Sequence, residues 1–335
     1  MREKNGILGL IITSALCVCI VAFGAFYITG EDFITASNGN EIVNEYTVNT
    51  PTQPDEITNS GSSEQSVTAG TSGTVLGKVT QSFITPYKSN TSYNRVYINN
   101  KTDVPINLEQ LLKDKNPVDI EKNDEPQVLI MHTHATECYL SANKEFYTDT
   151  DLSRTTDNSK NMIAIGKVFA DTLNSAGIKT LQDTTAHDYP AYNGSYTRSK
   201  ETVEKYLKQY PSIKVVIDVH RDSINASDGT KTKPVIEIDG KNAAQIMLVM
   251  GCGAKISGYE NWTKNLTFAT HYQQTLEVLY PGLARSIRLV NSRYNQNLTT
   301  GSILIEVGTD SNSLEEALYG AKLASKALVS YLNTL

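Results

Sequence analysis

The chain is short of cysteine and histidine, has no surplus of positive charge, and holds only one long hydrophobic run. There are four cysteines: Cys17 and Cys19 fall within that run, while Cys138 and Cys252 stand far apart with no C-x-x-C spacing anywhere. This pattern fits neither a disulfide scaffold nor a thiolate zinc site, and it leaves a Cys138–Cys252 bridge undecided. The formal net charge of -6 argues against nucleic acid or any other partner held mainly by basic residues. No internal repeat is present.

The apolar run, residues 7–29, carries no charge and is long enough to cross a hydrocarbon core of about 30 Å as a helix. Arg2 and Lys4 precede it and Glu31 and Asp32 follow it, so the N-terminus is expected in the cytoplasm and the remainder outside. No small-x-small site follows directly, which favours an uncleaved anchor over a cleaved signal. Leu16 before Cys17 speaks against a lipoprotein site. The expected organisation is a cytoplasmic N-terminus (1–6), a transmembrane helix (7–29), a flexible Ser/Thr/Asn-rich tether (30–74) and one large domain (75–335).

Within that domain "NRVYINN", "PQVLIM", "IKVVIDV", "AQIMLVMG" and "SILIEVG" read as strands, the middle three as buried ones. "INLEQLLK", "KNMIAIGKVFADTLNSAG", "SKETVEKYLKQYP" and "SLEEALYGAKLASKALVSYLNTL" read as helices. "NLTFATHYQQTLEVLYPGLARSIRLV" is expected to be mostly helical. Alternating strands and helices predict an α/β fold, a three-layer sandwich around a largely parallel sheet. Ligands of such sheets bind at the carboxyl ends of the strands.

Three predicted strands end in ionisable groups: His132, His134 and Glu137 after "VLIM", His220 in "DVHRD", and Glu306 in "SILIEVG". If the strands are parallel, these groups meet on one rim. His134, Glu137 and His220 form a His₂Glu set with an open fourth position, as a catalytic zinc site requires. Glu306 is then the carboxylate that moves the proton from water to a leaving nitrogen. Two alternatives stay open. Alternation lets only one of His132 and His134 face the site, with His134 preferred for its spacing to Glu137. Asp157, before the long amphipathic helix, can replace Glu137 as the acidic ligand. Each signal alone has a plainer explanation, such as a hydrogen-bonded histidine or a salt-bridged strand-end Glu. Arg198, Arg221, Arg285 and Arg288 are candidates for binding substrate carboxylates, Arg221 and Arg198 foremost, although surface arginines are commoner. His187 sits in a Tyr- and Gly-rich loop that can wall a groove, and His271 reads as structural.

The stretches "MHTHATECYL", "HDYPAYNGSYTRS", "SIKVVIDVHRDS" and "NQNLTTGSILIEVGTDSNSLEEA" resemble the stage II sporulation protein P family, membrane-anchored cell-wall hydrolases of endospore-forming bacteria. The last stretch also resembles the strand-end Glu-x-Gly of zinc N-acetylmuramoyl-L-alanine amidases, with Glu306 in the catalytic position and His220 in that of a metal ligand. In those amidases the ligand Glu precedes a helix, a position nearer Asp157 than Glu137. The resemblance implies Zn²⁺, amidase and endopeptidase cleavage of peptidoglycan stem peptides, and 75–335 as the catalytic domain. It further implies work beside stage II sporulation proteins D and M during engulfment, between the mother-cell and forespore membranes. The competing readings are a non-catalytic peptidoglycan-binding scaffold of the same fold and a carboxypeptidase-like enzyme on free peptides.

Overall fold

The apolar runs of the sequence become the middle of a single sheet in the computed structural model, which describes residues 73–335. The expected membrane helix and nearly all of the tether lie outside the described residues; within them no helix is long and apolar enough to cross a membrane. In chain order the strands are β1 (Val75–Ser82), β2 (Thr91–Tyr93), β3 (Val96–Asn100), β4 (Val128–Met131), β5 (Phe146–Thr148) and β6 (Thr180–Gln182). They continue as β7 (Val215–Asp222), β8 (Lys231–Ile238), β9 (Lys241–Ala244), β10 (Ile246–Gly251), β11 (Ile287–Val290) and β12 (Gly301–Thr309). The α-helices are α1 (Leu108–Lys113), α2 (Met162–Ser175), α3 (Ser195–Gln209), α4 (Trp262–Leu279) and α5 (Leu314–Leu332).

The main sheet has eight strands in the order β2-β3-β11-β10-β12-β7-β4-β6. All neighbours are parallel except β2–β3 and β10–β12. The three strands that carry the ionisable ends, β4, β7 and β12, are adjacent and parallel, so their ends do share a rim.

Helices α2, α4 and α5 cover one face. Ile165 and Phe169 of α2, Phe268 and Tyr272 of α4, and Ala321 and Leu328 of α5 enter one core with the sheet residues Ile130, Ile217 and Ile305. Local chemistry sets the helix ends. The Asn161 side chain accepts the Ile163 N–H (3.0 Å) at the start of α2, and Ser313 with Glu316 forms a capping box on α5. Gly177, at φ +80°, follows α2 in the left-handed region, where a side chain would be strained.

The opposite face is only partly covered. Val203 of α3 packs on Leu129, Met131 and Val216 of β4 and β7. Beyond it, Met247, Val249 and Leu304 form a small separate cluster with Val290 and Tyr294 packed against it. The expected third layer is therefore complete over β4 and β7 alone. Where it stops, a hollow remains on the sheet.

Two further departures from expectation have local causes. The segment read as mostly helical stops at Leu279, because Pro281 and Gly282 (φ +83°) break it, and "IRLV" then forms β11. A second sheet, β5-β1-β8-β9, has no counterpart in the sequence reading. Its strands are polar and half-exposed, so periodicity gives them no signature. A buried Lys233–Glu316 ion pair at 2.7 Å ties β8 of this sheet to α5. Cys138 and Cys252 are both buried and both free.

Candidate active site

Two acids hold the segment after β4 in shape. Asp218 on β7 accepts the Thr133 N–H (2.8 Å) and hydroxyl (2.7 Å), and Asp188 accepts the Thr136 N–H (3.2 Å) and hydroxyl (2.6 Å). Between these anchors His134 faces the hollow, and the Glu137 N–H donates to the His134 carbonyl (3.1 Å) in a tight turn. Glu137 is thereby brought under Arg154, 3.3 Å from its Oε1, and under the Arg221 N–H, 3.4 Å from its Oε2. Burial alone would raise the Glu137 pKa, but Arg221, His220, His134 and Arg154 bring it below its ordinary value.

His220 of β7 lies edge-on to His134, with ring centroids 5.2 Å apart at 89°. Its Nδ1 is 3.7 Å from Glu137 Oε2 and its Nε2 is 2.9 Å from Asp218 Oδ1. Burial opposes protonation of His220, yet Asp218, then Glu137 and Glu306, push its pKa up to about 9. His134 goes the other way, to about 4, because burial outweighs the pull of Glu137. Glu306 on β12 is the direct neighbour of His220 on β7. Burial, then the charge of Asp222, raises its carboxyl to about 8 against the opposing pull of His220. Gly308, at φ +63°, kinks β12 just after it, where the register with β7 shifts.

These groups line a cavity of about 490 Å³. Tyr192 stacks on His134 (4.7 Å between centroids, 14°) and its hydroxyl lies 3.3 Å from His134 Nε2. Tyr196 closes on His134 edge-on at 5.6 Å. Asp222 and Ser223, with Met247, Val249, Leu304, Tyr294 and Arg288, complete the lining. A larger cavity, about 630 Å³, lies beside β1 and Lys233, but neither histidine nor tyrosine lines it.

Of the residues singled out from sequence, His134, Glu137, His220, Arg221, Arg288 and Glu306 share this cavity; His132, Asp157 and Arg198 do not. His132 turns to the other face of the sheet. Its Nδ1 lies 3.3 Å from the Val219 carbonyl and its Nε2 3.2 Å from the Gln182 amide, with Gly166 of α2 packed so close that a Cβ there would stand 2.5 Å from the ring. Asp157 is exposed, pairing with Lys160 at 2.9 Å and accepting the Ser159 N–H. Arg198 is committed to its own loop, donating to the carbonyls of His187, Ala191 and Asn193. His187 is likewise internal, with Nδ1 2.8 Å from the His132 carbonyl and Nε2 2.9 Å from the Thr202 hydroxyl. Sequence reasoning missed Asp218, which stands two residues before His220 and so on the same face of β7. The Tyr- and Gly-rich segment expected to wall a groove does so through Tyr192 and, at the start of α3, Tyr196, whereas Arg154 was missed, since no local spacing announces it.

A zinc ion would need nitrogen and oxygen donors that the protein itself leaves unclaimed. His134 Nδ1 and Glu306 Oε2 are buried without a hydrogen-bond partner, while His220 pairs through Nε2 with Asp218 and keeps Nδ1 toward Glu137, whose carboxylate lies beside both histidines. The donor types fit a catalytic zinc site. As they stand they are not drawn together: among the described residues no three His, Cys, Asp or Glu side chains are gathered as a metal-holding group.

A family model described as Stage II sporulation protein P (SpoIIP) matches residues 43–329. The chain is 32% identical over 222 residues to Stage II sporulation protein P of Bacillus subtilis (strain 168), an alignment covering 63% of this chain and 52% of that protein. It thus spans about half the length of that curated relative. Among solved structures, N-acetylmuramoyl-L-alanine amidase AmiC2 of Nostoc punctiforme is 12% identical with a TM-score of 0.33, covering 64% of this chain and 97% of that one. The CwlD amidase from Clostridioides difficile, in complex with the GerS lipoprotein, is 13% identical with a TM-score of 0.36, covering 62% of this chain and 100% of that one.

Proposed function

The chain belongs to the stage II sporulation protein P family, and from that premise we propose that it is a zinc-dependent cell-wall hydrolase. On this reading it cleaves peptidoglycan stem peptides as an N-acetylmuramoyl-L-alanine amidase and endopeptidase during engulfment. The observation that carries the reading is the buried Glu306 Oε2, without a hydrogen-bond partner, on the strand beside His220. A carboxylate kept only for stability would have a donor there.

His134, Glu137 and His220 would hold the zinc, which when bound polarises a carbonyl and acidifies water. The protein's own groups do the rest. Arg154 and the Arg221 N–H fix the Glu137 carboxylate, and Asp218 braces His220, so that each projects from a rigid neighbour. Glu306 accepts the proton of the attacking water and returns it to the leaving amide nitrogen. Tyr192 and Tyr196 limit rotation of the His134 ring and narrow the approach of bulk water.

As part of the same reading, residues 7–29 anchor the chain in the cell membrane. The catalytic domain then lies between the mother-cell and forespore membranes, beside stage II sporulation proteins D and M. Support comes from the family and from the charges flanking the apolar run.

Detergent-purified full chain mixed with peptidoglycan, with and without chelator, tests the proposal. Expected are about one zinc per chain, release of muropeptides cut at the lactyl-alanine amide, and loss of release on chelation with recovery on added zinc. Digestion by zinc-free protein would reject the mechanism. Sedimentation with the wall without any digestion would favour the scaffold reading.

A further inference from the structure

Four arginines surround the pocket, and three of them are already engaged. Arg154 pairs with Glu137 and Asp188 and lies over the Tyr192 ring, 4.8 Å from its centroid. The Arg221 guanidinium donates to the carbonyls of Cys138 and Ser153. Arg285 pairs with Asp222 at 2.8 Å. Arg288 lines the same cavity and, among the described residues, its guanidinium has neither a hydrogen bond nor an ion pair. Its charge is felt by the phenol of Tyr294.

The sheet register fixes where Arg288 stands relative to Glu306. Arg288 pairs with Val249, which pairs with Leu304, so the three sit side by side on one face of β11, β10 and β12. Met247, Glu306 and His220 form a second row on that face, two residues further along β12. The Cα of Arg288 thus lies beyond an apolar strip, two strands across and two residues along from that of Glu306, or about 12 Å. An extended peptide advances about 3.3–3.6 Å per residue. A chain held at Glu306 and crossing the strip therefore brings its second residue past the scissile bond toward Arg288, once the reach of the arginine side chain is allowed for. A half-buried guanidinium with no counter-charge is costly unless a ligand supplies one. Its fork suits a carboxylate.

We propose that Arg288 is the specificity residue for a free carboxylate on the peptide side of the substrate, one to two residues from the scissile amide. The assignment rests on the hydrolase reading above and adds to it the chemical class of substrate: an acidic peptide, not a neutral one. Arg221 and Arg198, the foremost candidates from sequence, already donate to backbone carbonyls, whereas Arg288 does not.

The test uses the full chain and three synthetic muramoyl tripeptides. The first is amidated at its C-terminus and has a free α-carboxylate on its second residue. The second has a carboxamide at that position as well. The third has the carboxamide there but a free C-terminus. Binding by calorimetry is measured alongside turnover, for wild type and for Arg288→Gln and Arg288→Lys. Expected is preferential binding of the first peptide over the second by about tenfold, from the charged hydrogen bonds involved. Arg288→Gln should erase that preference by weakening the binding of the first peptide only, and Arg288→Lys should restore part of it. Dependence on Arg288 confined to the third peptide would assign the same anchor to a peptide end. Tighter binding of the acid form that Arg288→Gln abolishes, without hydrolysis of any peptide, would sink the hydrolase reading and leave the anchor standing. Equal binding of acid and amide forms, equal weakening of both by Arg288→Gln, or no binding of any peptide would overturn the proposal.

Discussion

Glu306 and His220 are cross-strand neighbours on parallel β12 and β7, and their side chains share one face of the sheet. This pairing brings the raised carboxyl of Glu306 next to a histidine whose own pKa is raised, within a cavity that also holds His134 and Glu137. Strand register, not a local motif, creates the site.

The role of Glu306 follows. Glu306→Gln keeps the side-chain shape and removes the proton acceptor. Digestion should fall by about 10²–10⁴, the usual worth of a positioned general base. Zinc content, melting temperature and wall binding should hold. Loss of zinc together with activity would make Glu306 a ligand instead.

Much of this was legible before any coordinates. The four apolar runs became β4, β7, β10 and β12, because strands buried on both faces have no choice but to be apolar. His134, Glu137, His220 and Glu306 could be named because strand ends in such sheets are where ligands bind. The uncovered hollow could not be foreseen, since it depends on where the helical layer above the sheet stops. Nor could the commitment of Arg198 to three carbonyls, or the burial of His132 under Gly166, because both are set by residues distant in the chain.

The two neighbouring histidines should separate cleanly on mutation. His134→Ala removes a donor facing the cavity and should abolish zinc binding with little change in stability of the metal-free protein. His132→Ala leaves the Val219 carbonyl and the Gln182 amide without their buried partner and opens a void under Gly166. It should cost about 1–3 kcal/mol of stability while the folded protein still binds zinc. Chemical denaturation and metal analysis on both variants check this, and zinc lost from His132→Ala alone would reverse the assignment.

Arg198 should act on the loop, not on substrate. Its guanidinium ties the carbonyls of His187, Ala191 and Asn193, and the segment between them carries Tyr192, which stacks on His134. Arg198→Ala should speed amide hydrogen exchange across residues 187–194, since it removes donors the loop cannot replace. A variant with weakened peptide binding but unchanged exchange would return Arg198 to the substrate.

Glu277 offers a test of burial away from the pocket. It lies on the inner face of α4 and accepts the Gly282 N–H at 2.9 Å, holding the chain where the helix breaks. Burial raises its carboxyl pKa above the ordinary value despite that hydrogen bond and the charge of Arg95. The folded state therefore binds the proton more tightly than the unfolded one. The stabilisation this gives is complete below the unfolded pKa, about 4.3, and is lost as pH rises through the folded value. Glu277→Gln keeps a carbonyl oxygen for the Gly282 N–H and carries no charge to desolvate. Its melting temperature should exceed wild type at pH 8 by about 1–3 °C, the shift expected of a fraction of a kcal/mol in a domain of this size. The gap should narrow as pH falls and close near pH 4. Melting curves for both proteins across that range decide the matter: parallel curves, or a Gln variant less stable at pH 8, would mean that the charged carboxylate is held by its partners at no cost.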